Sequence, residues 1–250
     1  MSSALMFNCD MGEQYGHWRA NQDETLMTLI DQANLACGFH AGDFSTMAES
    51  VKCAMAHGVR IGAHPSYPDL QGFGRRAMQC TPQEVQDMML YQIGALDAFC
   101  RRHGGNVHYV KPHGALYNAI ADDDALLAAA LSACADYRKG VALMTLARPE
   151  PEREKVLDLA ARYDVPILFE AFADRAYLPS GRLVSRQQPN AVWSDTTRMV
   201  AQAQAIADQQ PFNAVDGTPL TLMADSLCVH GDTPQALALL KSLRTALKGT

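Results

Sequence analysis

The sequence predicts an α/β protein built as a seven-stranded, TIM-like β/α barrel, and three observations carry that prediction. Short apolar runs alternate with stretches of helical period seven times along the chain. The runs are mostly apolar on both faces, as parallel strands covered by helices require. A length of 250 residues suits one such barrel, and a chain of this size buries roughly three quarters of its unfolded surface without disulfide staples. No Ser/Gly-rich linker interrupts the alternation, so residues 1–250 read as one domain.

Taken in order, strands are expected over residues 5–9, 32–37, 59–63, 107–110, 141–146, 165–169 and 226–229. Helices are expected over residues 22–31, 45–57, 82–103, 122–137, 150–163, 195–209 and 234–248. Thr81-Pro82-Gln83-Glu84 supplies an N-cap, a proline in the first turn and an acidic residue at the third position. Asp232-Thr233-Pro234 opens the last helix in the same way, and Gly58, Gly104 and Gly140 follow helices as stop signals. Two stretches break the pattern. Residues 211–224 carry Asp216-Gly217 between two apolar segments, which predicts a hairpin before the seventh strand. Residues 171–193 form a polar, Arg-containing loop of the length that is usually functional or mobile.

Composition narrows the function. Hydrophobic residues at 48% and charged residues at 19% exclude a disordered chain. Lys plus Arg is 21 against 27 for Asp plus Glu, a net charge of −6, which argues against nucleic acid or an anionic membrane as partner. The 7 cysteines run from Cys9 to Cys228 without a CxxC pair, which fits a reducing, cytoplasmic setting and not a disulfide framework. Residues 1–13 show neither a basic nor an apolar leader region, and the most apolar run, residues 125–131, is too short to span a bilayer.

The chemistry gathers at the ends of the apolar runs. Asn8-Cys9-Asp10-Met11-Gly12-Glu13 follows the first, Cys37-Gly38-Phe39-His40 the second, His64-Pro65-Ser66-Tyr67 the third and Lys111-Pro112-His113-Gly114 the fourth. Glu170 and Asp174-Arg175 follow the sixth, and His230-Gly231-Asp232-Thr233 the seventh. In a parallel barrel all these ends share one rim, where active sites are built. One histidine at a strand end is more often a structural residue. Four of them, with Asp10, Glu13, Lys111 and Glu170, point to a shared pocket.

Gly72-Phe73-Gly74-Arg75-Arg76 couples flexible backbone to two guanidinium groups, a pattern suited to carboxylate or phosphate oxygens. The start of the last helix also presents backbone N–H groups to an anion, although ordinary capping explains it as well. Neither GxxxxGK[ST], GxGxxG nor Gly-x-Ser-x-Gly occurs. Cys9 and Cys37 lie near strand ends, but buried cysteines normally serve as small hydrophobes. Asp10, His40 and His64 are the candidate ligands if a metal is bound. A metal-free network of carboxylates and polarising His or Lys side chains uses the same residues and is the reading we favour.

These segments also resemble the signature blocks of the LamB/YcsF family. The resemblance is carried by residues 8–13, 34–43, 61–70, 72–76, 110–118, 172–177 and 228–234, in the family's order. It departs from the family pattern at Pro179-Ser180-Gly181 and at residues 187–190. The resemblance implies a barrel of the glycoside hydrolase/deacetylase type. It also implies ATP-dependent opening of 5-oxo-L-proline to L-glutamate, with Mg-ATP as co-substrate and separate B and C subunits as partners. On that reading Asp10 or Glu13 is the base for water, supported by Glu170. His40, His64 and His113 polarise the lactam or shuttle protons. Asn8, Lys111, Arg75, Arg76, His230 and Asp232 hold substrate or phosphoryl oxygens, and Asp174 and Arg175 close over the site on a mobile loop. The alternatives are a metal-dependent amidase or carbohydrate deacetylase, and a subunit that only binds 5-oxoproline.

Overall fold

In chain order the strands are β1 (Met6–Met11), β2 (Gln32–Ala36), β3 (Arg60–His64), β4 (Tyr109–Val110), β5 (Ala142–Leu146), β6 (Ile167–Phe172), β7 (Phe212–Asn213), β8 (Pro219–Leu220) and β9 (Ser226–Cys228). Seven of them, β1 to β6 and then β9, close into one parallel barrel. β9 pairs with both β6 and β1, so no sheet edge remains in the barrel. The computed structural model describes residues 5–17, 23–186, 188–229 and 236–249. The predicted hairpin is present as β7 and β8, antiparallel, with Phe212 opposite Leu220.

The helices are α1 (Asp23–Met27), α2 (Phe44–Ala56), α3 (Pro82–Arg102), α4 (Gly114–Asp122), α5 (Asp124–Tyr137), α6 (Glu152–Ala161), α7 (Thr196–Ala207) and α8 (Ala236–Lys248). α3 begins where its signals place it: the Thr81 side chain accepts from Glu84 N–H and the Glu84 carboxylate returns to Thr81 N–H. Its buried face, Val85, Met89, Ile93, Leu96 and Cys100, follows the helical repeat. α4 is an element that the sequence reading missed. Its N-cap is His113, whose side chain makes no capping bond, and its first residue is a glycine. No start signal was therefore visible. The expected helix over residues 22–31 is the single turn and a half of α1.

The apolar core lies between the barrel wall and the helices. Phe7, Cys9, Ala33, Leu35, Ile61, Ala63, Val110, Leu143, Phe169, Ala171 and Leu227 all belong to one buried cluster with helix residues. The alternate positions face the barrel interior, and there the sequence expectation of apolar residues on both faces fails. Asn8 and Asp10 on β1, Gln32 and Asn34 on β2, His64 on β3, Glu170 on β6 and Ser226 on β9 occupy those positions. A small apolar plug of Tyr109, Ala142 and Met144, with Leu168 against it, fills the rest. β1 and β6 run furthest past their expected ends. β1 continues through Asp10 to Met11, and β6 continues through Glu170 to Phe172, so both carboxylates sit on strands.

The described part of the segment after β6 is tied to the barrel and to α7 by bridges and hydrogen bonds. Short bridges pair Arg175 with Val192 and Tyr177 with Leu183. Gln202 on α7 donates to the carbonyls of Phe172 and Arg175 at 2.9 Å each. Tyr177 Oη accepts from Phe172 N–H at 2.7 Å. Among the described residues no helix is long and apolar enough to cross a membrane.

Candidate active site

Lys111, just beyond β4, is the hub of the barrel interior. Its ammonium donates to Asp10 Oδ1 at 2.9 Å and to Asn8 Oδ1 at 3.2 Å, and lies 2.7 Å from Glu170 Oε1. Burial opposes the charge on this side chain most strongly, but Asp10, Cys228 and Glu170 outweigh it and hold its pKa well above the ordinary lysine value. Glu170 is fully buried, and Tyr117 on α4 donates to its Oε2 at 3.0 Å. Burial first, and Glu170 second, push the Tyr117 phenol well up, so it remains a hydrogen donor. Asn34 completes the layer: its Nδ2 donates to Asp10 Oδ1 and Asn8 Oδ1 at 2.8 Å each, and its Oδ1 accepts from Tyr109 at 2.6 Å. Below it Asn8 donates to Ser226, which donates to Gln32.

A second group stands beside the first. His40 and His113 stack face to face, ring centres 3.8 Å apart, and His64 meets His113 edge-on at 4.8 Å. Glu13 Oε1 lies 2.9 Å from His40 Nε2, 3.3 Å from His113 Nδ1 and 3.9 Å from His64 Nε2. Burial, reinforced by the neighbouring His64, drives the His40 pKa well below the ordinary value; burial with His40 and His64 does the same to His113. Both rings are therefore neutral at pH 7. The other ring nitrogens are fixed by the scaffold. His64 Nδ1 donates to Lys111 O at 2.7 Å and His113 Nε2 to Phe73 O at 2.9 Å.

Two glycines make that arrangement possible. Gly74, with φ +64°, and Gly114, with φ +56°, occupy the left-handed region. A Cβ on Gly114 would come 2.5 Å from Gly74 O, and one on Gly74 would come 2.9 Å from the His113 ring. The close approach lets Ala115 N–H donate to Gly74 O at 2.9 Å, which seats the residue 72–76 turn over the histidines.

Above these groups opens a cavity of about 510 Å³. Asp10, Glu13, His64, Lys111 and His113 line its chemical side, Leu146, Phe172, Leu183 and Val184 contribute apolar surface, and Arg75, Arg175, Arg182 and Arg186 contribute cations. The sequence-predicted residues thus separate into distinct fates. Asp10, Glu13, His64, Lys111, His113, Arg75 and Arg175 line the cavity; His40 and Glu170 sit directly behind it. Asn8 is fully buried and supports Lys111 from below. Arg76 turns away and pairs with Asp69, whose carboxyl it holds down at about 2, chiefly through that hydrogen bond. Arg175 donates to Ala191 O and Val184 O at 3.2 and 2.7 Å, so its guanidinium braces the loop. Asp174 is buried, with its carbonyl accepting from Trp193 N–H. His230 and Asp232 lie outside the described residues. Neither cysteine near a strand end is activated: burial pushes Cys37 to about 12 and raises Cys9 well above the usual thiol value.

Residues that sequence reasoning missed are Asn34, Tyr109, Tyr117, Ser226, Arg182 and Arg186. Strand alternation could have found Asn34, because Asn8/Asp10 and Gln32/Asn34 are polar pairs two apart in adjacent apolar runs. The candidate metal set also changes. The grouping is Glu13, His40, His64 and His113, where the sequence pointed to Asp10, His40 and His64.

The same chain aligns with known proteins along its whole length. A 5-oxoprolinase A subunit from Pseudomonas aeruginosa is 61% identical over 243 residues, covering 97% of this chain and 96% of that protein. Another 5-oxoprolinase A subunit, from Chromohalobacter salexigens, is 51% identical, covering 98% and 97%. The crystal structure of a lactam utilization protein from Thermus thermophilus superposes with a TM-score of 0.89 at 38% identity, covering 99% of this chain and 97% of that one. The LamB/YcsF family model matches residues 5–250, and with it the barrel, the rim motifs and these relatives agree: the chain belongs to the LamB/YcsF family.

Proposed function

We propose that this chain opens the ring of 5-oxo-L-proline in an ATP-driven reaction that yields L-glutamate, ADP and phosphate. It acts as the A component of an assembly completed by separate B and C subunits. The observation that carries this reading is one cavity in which Asp10, Glu13 and Lys111 stand with Arg75 and Arg186. Such a lining matches a small anionic substrate whose amide must be attacked by water. Relatives named as 5-oxoprolinase components, at 61% and 51% identity, support the choice of lactam.

The chemistry explains the need for ATP. A five-membered lactam is an unstrained, resonance-stabilised amide, and its equilibrium favours the ring. Transfer of the γ-phosphoryl group of Mg-ATP to the lactam oxygen converts that oxygen into a leaving group. One water attacks the ring carbon and the ring nitrogen leaves as the amine, giving γ-glutamyl phosphate; a second water attacks that acyl carbon, and phosphate departs with the former lactam oxygen. Asp10 takes the proton from the water, since Glu13 is engaged with the three imidazoles. Lys111, held charged in a nearly dry setting, stabilises negative charge on the reacting oxygen. Arg75 and Arg186 hold the substrate carboxylate and phosphoryl oxygens. Asp10 then passes the proton it took from water to the leaving nitrogen, while the histidine cluster beside it orients the lactam.

Mg-ATP is a co-substrate on this reading, and the sequence carries no GxxxxGK[ST] segment to hold it in the P-loop manner. Seven free cysteines and an ATP-consuming reaction suit the reducing cytoplasm. The mechanism is tested with 5-oxoproline labelled with ¹⁸O in the lactam carbonyl, turned over by the assembled subunits. The label is expected in inorganic phosphate. Label retained wholly in glutamate would refute departure of the lactam oxygen with phosphate.

A further inference from the structure

Four side chains at the foot of the cavity aim their ligating atoms at one point: Glu13, His40, His64 and His113, all within 4.8 Å of one another. Backbone carbonyls fix the hydrogen-bearing nitrogen of two of the three rings. His64 Nδ1 and His113 Nε2 each face a backbone carbonyl, at 2.7 and 2.9 Å, and a carbonyl oxygen can only accept. Ser66 Oγ gives its single hydrogen to Tyr67 O at 2.8 Å, so toward His40 Nδ1, 3.0 Å away, it accepts. Gln92 on α3 locks Ser66 in place, accepting from its N–H at 3.0 Å and donating to its carbonyl at 2.9 Å. Each ring thus has a scaffold partner on its outer nitrogen, and its other nitrogen faces the cluster. His64 Nε2 and His113 Nδ1 therefore present lone pairs inward, as His40 Nε2 does when its hydrogen is on Nδ1 toward Ser66.

Those lone pairs are crowded together. His64 Nε2 and His113 Nδ1 meet at 3.0 Å, and His40 Nε2 lies 2.9 Å from a Glu13 oxygen. Acceptors held this close repel unless positive charge lies between them. One shared proton would relieve the His64–His113 contact and leave His40 against Glu13. A cation at the common point relieves every contact at once.

We propose that this chain binds one divalent transition-metal ion through Glu13, His40, His64 and His113. Four donors about 2.0–2.1 Å from a tetrahedral ion lie roughly 3.3 Å apart; four of the six separations, 2.9, 3.0, 3.3 and 3.9 Å, bracket that spacing, and all six lie within 4.8 Å. Three imidazoles with one carboxylate select Zn²⁺ or a similar ion over Mg²⁺ or Ca²⁺, which prefer oxygen. The carbonyl and hydroxyl partners of the far ring nitrogens are the orienting contacts that metal-bound histidines require. Asp10 stays outside the set, because its Oδ1 is taken by Lys111 and Asn34 and only its Oδ2 approaches His64, at 3.4 Å. The inference stands on ring geometry and does not rest on the substrate proposed above.

The test uses the full chain, stripped with a chelator, verified as folded by circular dichroism, and titrated with Zn²⁺ and Co²⁺ alone. One ion per chain is expected, with the strong visible absorption of four- or five-coordinate Co²⁺. Glu13→Gln and His113→Ala should each weaken binding at least tenfold, while Asp10→Asn keeps one ion per chain. No uptake by the folded chain, or binding unchanged in both ligand variants, would overturn the proposal. So would loss of binding in Asp10→Asn with Glu13→Gln as wild type. Should the ligand variants not fold, X-ray absorption on the zinc-loaded wild type decides the point. A shell of imidazole nitrogen and carboxylate oxygen supports the site; sulfur or oxygen-only ligation refutes it. Because the readout is metal uptake, its failure leaves the ring-opening proposal standing, and the reverse also holds.

Discussion

Asp10 on β1 and Lys111 at the end of β4 meet, Oδ1 to Nζ, at 2.9 Å across 101 residues of sequence. The same ammonium contacts Glu170 at 2.7 Å, so a single buried cation holds two carboxylates. Removing it leaves buried negative charge without its partner. Lys111→Met is expected to destabilise the fold by about 3–5 kcal/mol in urea titration at neutral pH. A loss under about 1 kcal/mol would mean the network contributes little.

The raised pKa of Lys111 also fixes a pH dependence. Its folded value lies above the unfolded one, near 10.4. The stabilisation is therefore complete below about pH 10.4 and is lost as pH rises through the folded value. Wild type should lose stability faster than Lys111→Met between about pH 10 and 11, by up to about 1.4 kcal/mol per pH unit. Parallel curves would contradict this.

Tyr117 supplies the hydrogen bond to Glu170 Oε2 at 3.0 Å, in a fully buried setting. Tyr117→Phe keeps the ring and deletes that donor. A cost of about 1–3 kcal/mol is expected by chemical denaturation, as for any buried acceptor stripped of its partner. An unchanged midpoint would show that Glu170 finds another donor.

Arg76 pairs with Asp69 and does not line the cavity. Its contacts hold the Asp69 carboxyl at about 2, below its ordinary value, so the pair's contribution is present above about pH 4 and lost as pH falls through about 2. Arg76→Gln should move the Asp69 titration, followed by carboxyl NMR, upward and raise the pH of acid unfolding, with 5-oxoproline affinity unchanged. Weakened 5-oxoproline binding would return Arg76 to the site.

Gly74→Ala tests the seat of the histidines. The new Cβ would meet the His113 ring at 2.9 Å and His40 Cβ at 3.0 Å from a backbone at φ +64°. Destabilisation above about 1 kcal/mol is expected, with His113 resonances displaced in NMR spectra. Wild-type stability would show that the turn relaxes freely.

Much of this was legible in the sequence because strand ends of a parallel barrel share one rim. Seven apolar runs place Asp10, His40, His64 and Lys111 together without any coordinates. The polar interior was harder to read. Asn34 and Ser226 look like minor interruptions of apolar runs until the register sets them against Asp10 and Asn8. α4 lacked a cap signal, and so Tyr117 went unnoticed. Arg75 and Arg76 are neighbours with opposite fates because only the fold brings Asp69 to one of them.

The central claim is that the Asp10–Lys111 pair opens a lactam ring. Its most direct test is glutamate release from 5-oxoproline by the assembled subunits, with and without ATP, comparing wild type and Asp10→Asn. ATP-dependent glutamate is expected from wild type, with at least about a hundredfold loss in Asp10→Asn, in a protein that still folds. Wild-type turnover by Asp10→Asn, or no glutamate from the wild-type assembly, would contradict it.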